Sequence, residues 1–98
     1  AEIEATLVEH PAVLDVAVFG IPDDEWGEQV KAAVELAPGF TPSAALADEL
    51  LAYARMRLAG YKAPRSIDFE AALPRTEAGK LYVRRLRDPY WAGRERRI

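Results

Sequence analysis

Residues 13–42 read VLDVAVFGIPDDEWGEQVKAAVELAPGFTP, and the way this stretch divides decides the fold. Residues 13–20 are short, rich in Val and stopped by Gly20, the composition of a strand. Residues 21–27 hold Pro22, two adjacent Asp and a closing Gly, so a loop is expected there. Val30, Ala32, Val34 and Leu36 then alternate with Lys31, Ala33 and Glu35. A period of two predicts a second strand with one buried face. Ala37-Pro38-Gly39 is a turn, and Thr41-Pro42 opens a helix, with Thr41 as N-cap and Pro42 in the first helical position.

Working outward, Leu46, Leu50, Leu51, Ala54 and Leu58 recur near every 3.6 residues, a helix with one apolar stripe. Gly60 stands where a left-handed cap is expected. After a connector at 61–65, residues 66–70 (SIDFE) read as a third strand with Ile67 and Phe69 inward. Residues 71–80 are a loop, and 81–88 a short helix with Leu81, Val83 and Leu86 apolar, ended by Pro89. Upstream, Ile3 and Leu7 have helical spacing, and His10-Pro11 should close that helix with the imidazolium against its negative end. The expected order is helix, strand, strand, helix, strand, helix. That is an α+β fold, a small three-stranded sheet with flanking helices.

Composition narrows the function. At 98 residues the chain fits one domain, and a hydrophobic share of 50% excludes a disordered segment. There is no run of about 18 apolar residues, so no membrane span is expected. The acidic start Ala1-Glu2-Ile3-Glu4 is neither a signal nor a transit peptide, and without an initiating Met the chain reads as part of something longer. The absence of Cys removes disulfides, thiol catalysis and thiolate ligands, and fits a cytoplasmic protein. With one His and no Cys, no metal site is expected. Asp23, Asp24 and Glu25 read as a solvated turn. From residue 75 onward eight cations face three acids, a surplus of five; the total of −3 leaves −8 on the rest. A basic end, with a tail over 88–98, points to an anionic partner. Only Tyr90 and Trp91 interleave it, so nucleic acid is not the expected partner.

The most chemically pointed stretch is Leu73-Pro74-Arg75-Thr76-Glu77-Ala78-Gly79-Lys80. Thr76 to Gly79 has the form of a tight turn. A Lys directly after such a turn has a placed backbone and a long reach, so it can carry a compact positive charge to a phosphate or carboxylate. Spacing alone fits an ordinary surface Lys equally well. The segment is not a phosphate-binding P-loop, because it lacks the Gly-x4-Gly-Lys-Ser/Thr pattern and Leu81 stands where Ser or Thr would be.

Pro74-Arg75-Thr76-Glu77-Ala78-Gly79-Lys80, with Arg84-Arg85-Leu86-Arg87 after it, resembles the last core motif of the adenylate-forming enzymes, which include the acyl-CoA synthetases. Glu2-Ile3-Glu4 and His10-Pro11-Ala12-Val13 are similar to that superfamily's opening helix and strand. Gly20-Ile21-Pro22-Asp23 with Trp26-Gly27-Glu28 resembles its next loop, and Tyr61-Lys62-Ala63-Pro64 its step into the third strand. The match runs in order from residue 1 to about 87.

The resemblance implies that residues 1–98 are the small C-terminal lid domain of an AMP-forming acid–thiol ligase. The large N-terminal domain and the hinge would lie outside the chain, so the chain alone should fold but catalyse nothing. ATP with magnesium, coenzyme A and a carboxylic acid are the implied co-substrates and substrate. Lys80 is the implied catalytic residue of acyl-adenylate formation. Trp26, Gly27, Tyr61, Lys62 and Arg65 are the implied contacts to coenzyme A. Trp26 fits a plug at the loop base as well as a stacking platform, and Tyr61 fits packing beside the helix cap. Some relatives have a basic residue at the place of Ala63, so no phosphate contact is expected from that position here. Arg75 is expected to support the loop or the interdomain face. Residues 88–93 are similar to the ends of bacterial fatty-acyl-CoA ligases, which favours a fatty or other organic acid. A carrier-protein-loading adenylation domain and a non-catalytic binding module are the alternatives.

Overall fold

Strands β1 (Val13–Asp23) and β2 (Gly27–Leu36) form an antiparallel hairpin in the computed structural model, which describes residues 2–94, the Tyr61 side chain apart. Asp23 pairs with Gly27, so the loop between them is only Asp24, Glu25 and Trp26. Gly27 takes φ +85°, a left-handed conformation open to Gly without a Cβ penalty. The loop expected over 21–27 is thus mostly strand. Pro22 is accommodated because β1 is an edge strand, hydrogen-bonded on one side only. The register slips by one residue between Val13 and Asp15, a bulge that leaves Leu14 exposed.

Strand β3 (Ser66–Glu70) pairs with β2 in parallel, giving the order β1-β2-β3. A parallel return needs a long crossover, and helix α2 (Ala44–Arg57) supplies it. Its N-cap is Ser43 rather than Thr41: the Ser43 hydroxyl accepts from Leu46 N–H at 3.0 Å, and Thr41-Pro42 lie ahead of the helix. Gly60 is not its cap either. The chain leaves α2 in extended form at Leu58, whose side chain is buried, and Gly60 opens a 3₁₀ turn, Gly60–Lys62.

One core lies between the sheet and helices α1 (Glu2–Leu7) and α2. Leu7, Val16, Ala32, Val34, Leu50, Ala54, Leu58 and Ala63 are buried there. The alternation in β2 hid a second core on the opposite face. Ala17, Phe19, Ile21, Ala33 and Leu73 are buried under Leu81, Val83 and Leu86, because residues 73–91 fold back across the sheet. Helix α3 (Val83–Trp91) begins two residues later than expected, since Leu81 is bridged to Arg75, and it runs through Pro89. Proline removes one intrahelical hydrogen bond. The turn is held instead by tertiary contacts: Trp91 Nε1–H donates to Gly20 C=O at 2.9 Å, and the Tyr90 hydroxyl donates to the Asp68 carboxylate.

Two polar groups are buried with partners, as burial demands. Lys31, 6% exposed, pairs with Asp68 at 2.8 Å and sits over the Tyr90 ring. His10 does not cap a helix end as expected. Its Nδ1 accepts from Ala12 N–H at 3.0 Å, which leaves the proton on Nε2 to donate to Glu49 of α2 at 2.8 Å. His10 therefore ties the α1–β1 junction to α2; its role is structural, by a different mechanism.

The Tyr90 phenol is pushed up to about 12, first by burial, then by its hydrogen bond to Asp68 and the charges of Asp68 and Glu70. The folded chain holds this proton more tightly than the unfolded one, whose Tyr titrates near pH 10. Its stabilising share is complete below about pH 10 and is lost as pH rises towards 12. Urea unfolding at stepped pH should show the alkaline loss of stability reduced in Tyr90→Phe. An identical slope in both proteins would contradict it.

Candidate functional site at two ends of the sheet

The segment carrying Lys80 is itself a small hairpin. Its base is set in the second core by Leu73 and Leu81, and Leu73 N–H donates to Glu35 at 3.1 Å. Arg75 bridges Leu81, and Tyr82 N–H donates to Pro74 C=O at 2.8 Å. At the tip, Gly79 N–H donates to Thr76 C=O at 2.9 Å, with Gly79 at φ +87°. Thr76 N–H donates to Lys80 C=O at 2.8 Å, and Lys80 N–H donates to the Thr76 hydroxyl at 3.2 Å. Arg75 donates to Gly79 C=O at 2.7 Å and reaches the carboxylate of Asp15 on β1 with its other terminal nitrogen. Lys80 is exposed, and its ammonium has no ion-pair partner among the described residues. The arrangement is a hydrogen-bonded backbone carrying an exposed cation on a long side chain, which suits contact with an anion brought to it.

The second group lies at the turn of the β1–β2 hairpin. Trp26, 68% exposed, lines an open cleft of about 340 Å³ with Glu28, Gln29, Val30, Gly60, Ala63 and Arg65. The 3₁₀ turn brings 60–65 beside the hairpin, and Arg65 N–H donates to Val30 C=O at 2.8 Å. The cleft presents an aromatic face and a guanidinium, the pairing that a flat base and a phosphate would use. Of the residues expected there, Trp26 and Arg65 meet, and Gly27 shapes the turn. Lys62 does not line the cleft; it is exposed and pairs with Glu2 at 3.1 Å. The Tyr61 side chain lies outside the described residues. Ala63 is buried in the first core. Glu28 and Gln29 were not anticipated: a polar pair in a strand carries no signal of its own.

Asp15, where the Lys80 hairpin is tied down, and Asp23, at the cleft end, are eight residues apart on β1. At about 3.3 Å per residue those two acids are about 26 Å apart along the strand. The Lys80 hairpin and the Trp26–Arg65 cleft are thus separate groups on one sheet. Asp15 was also not foreseen as part of the first. A single acid in an otherwise apolar strand, VLDVAVFG, was the available signal.

Among the described residues no three His, Cys, Asp or Glu side chains gather as a metal set, and no helix is long and apolar enough to cross a membrane. The basic tail expected over 88–98 is described only to Arg94, which pairs with Asp24 at 3.1 Å; the rest lies outside the described residues.

Residues 2–80 match the family model of the AMP-binding enzyme C-terminal domain. Among curated proteins, an acetyl-coenzyme A synthetase from Bacillus subtilis is 43% identical over 86 residues, covering 88% of this chain and 15% of that protein. A fatty acid–[acyl-carrier-protein] ligase from Streptomyces coeruleorubidus is 40% identical over 98 residues, 100% of this chain and 18% of that protein. An acyl-CoA synthetase crystal structure from Brucella canis superposes with TM-score 0.89 at 41% identity, covering 96% of this chain and 17% of that one. The chain thus spans less than a fifth of these relatives.

Proposed function

The chain belongs to the AMP-binding enzyme C-terminal domain family, and from that premise we propose that it is the mobile C-terminal part of an ATP-dependent acyl-CoA synthetase acting on a fatty or other organic acid. Its partner is the N-terminal domain of the same enzyme, which would hold ATP and the acid. In the first step a carboxylate oxygen attacks the α-phosphorus of ATP and pyrophosphate leaves. Two anions must approach each other, so the step needs both positioning and a countercharge. The Lys80 ammonium supplies it between the carboxylate and the phosphate oxygens. At about 4 Å and an effective dielectric near 20, one such contact is worth roughly 4 kcal/mol. In the second step a thiol adds to the acyl carbonyl and AMP departs, for which Lys80 must first withdraw. Coenzyme A would then lie against the Trp26–Arg65 cleft.

The observation that carries this reading is the separation of the two groups, a Lys with no ion pair among the described residues on one pinned hairpin and an aromatic–cationic cleft towards the other end of β1. A single site serving both steps would not need them apart. Trp26→Ala and Arg65→Ala in the intact enzyme are expected to raise the KM for coenzyme A about tenfold each and leave acyl-adenylate formation unchanged. Steady-state assays of the two half-reactions check this. Equal loss in both halves would sink the assignment of the cleft.

A second reading has one observation in its favour: the carrier-protein ligase is similar over the whole chain. A pantetheine arm on a carrier protein would then replace free coenzyme A. Product formation with coenzyme A alone decides between them.

A further inference from the structure

We propose that Asp15 and Arg75 are positioning residues for Lys80, a clamp that fixes the direction in which the catalytic side chain leaves the hairpin. This rests on the reading of Lys80 given above. The peptide group between Gly79 and Lys80 is held at both ends: Arg75 donates to its C=O at 2.7 Å, and its N–H donates to the Thr76 hydroxyl at 3.2 Å. The next carbonyl, that of Lys80, accepts from Thr76 N–H at 2.8 Å. All three backbone groups around the Lys80 Cα are therefore engaged, and the Cα–Cβ direction is set.

Arg75 closes the system onto the sheet. One terminal nitrogen serves Gly79 and the other serves the carboxylate of Asp15, whose second oxygen accepts from Val16 N–H at 2.9 Å. Among the described residues this ion pair is the polar contact that ties the tip to β1; the buried anchors Leu73 and Leu81 lie at the base, and residues 75–80 are exposed. Without the clamp the Gly79 carbonyl turns to water, and its peptide plane is held on one side only, by the 3.2 Å bond from Lys80 N–H to the Thr76 hydroxyl. The planar guanidinium spans both acceptors with its two terminal nitrogens in one fixed geometry, which the single nitrogen of a Lys does not reproduce. An exposed ion pair adds little to global stability, so the effect of the clamp falls on local geometry.

The test uses the intact enzyme, with the two half-reactions assayed separately. Arg75→Gln and Asp15→Asn should each lower kcat for acyl-adenylate formation about 10–100-fold, the scale of a misplacement by about 1 Å. The KM for ATP and for the acid should stay within about twofold, and thioester formation from supplied acyl-adenylate should be unaffected. The double variant should be no worse than Arg75→Gln alone, because both break one chain of contacts. Amide hydrogen exchange at Lys80 should quicken while the thermal midpoint holds. The clamp is overturned if either single variant forms acyl-adenylate at the wild-type rate, if the two losses multiply, or if both half-reactions fall together. Lys80→Ala run alongside separates the two failures. If it spares acyl-adenylate formation, the role of Lys80 falls and the clamp with it; if it abolishes that step while Arg75→Gln does not, the clamp alone falls.

Discussion

Replacing Lys80 by Ala in the intact enzyme is expected to lower acyl-adenylate formation by about 10²–10³-fold, the usual loss when one group stabilising transition-state charge is removed. Thioester formation from supplied acyl-adenylate should largely survive, because the proposed acceptor cleft lies at the other end of the sheet. The Lys80 side chain is exposed and makes no ion pair among the described residues, so unfolding stability should move by less than about 0.5 kcal/mol. That combination is discriminating. Lys80→Arg should not restore the rate, since a planar guanidinium does not reproduce a compact ammonium between two sets of oxygens. Pyrophosphate release and single-turnover thioester assays read the two halves. An equal fall in both would assign Lys80 a structural role.

The largest stability effect should come from Leu50→Ala. Leu50 is fully buried at the centre of the core between α2 and the sheet, among Leu7, Val16, Val34 and Ala54. Truncation there removes transfer energy and leaves a cavity, together about 2–5 kcal/mol. For a domain of this size each 1 kcal/mol moves the thermal midpoint by about 4–8 °C, so a fall of roughly 8–40 °C is expected by calorimetry or circular dichroism. Met56→Ala on the same helix is the control: Met56 is 82% exposed and should change the midpoint little. Similar losses at both positions would contradict the packing described for α2.

Sequence patterns located these elements where local chemistry was decisive and misled where tertiary contacts overrode it. The alternation of Val30 to Leu36 marked β2 correctly, and the stripe from Leu46 to Leu58 marked α2. The same alternation concealed that Lys31 and Ala33 are buried too, because nothing local says that residues 73–91 return across the far face. Pro22 and Pro89 were read as breakers. Each is tolerated for a positional reason: one lies on an edge strand, and the other lies in a helical turn held by Trp91 and Tyr90. Ser43 displaced Thr41 as cap, since Pro42 suits a helix start but also the extended approach to one, and here the helix opens two residues later. In the site, the sequence put Lys80 directly after a tight turn in a loop, and the order of motifs grouped Trp26 with Arg65. It could not show that Lys62 turns to Glu2, nor that Asp15, sixty residues from Arg75, holds the hairpin tip.

The length of β1 has a consequence for how such a chain can diversify. Energetic coupling between substitutions fades beyond about 7–10 Å, and Asp15 and Asp23 on this strand are about 26 Å apart. Changes at the Trp26 end should therefore add to changes at the Lys80 end without epistasis. A lineage could exchange one acceptor for another, a small thiol for a carrier-borne arm, while the activating step is inherited untouched.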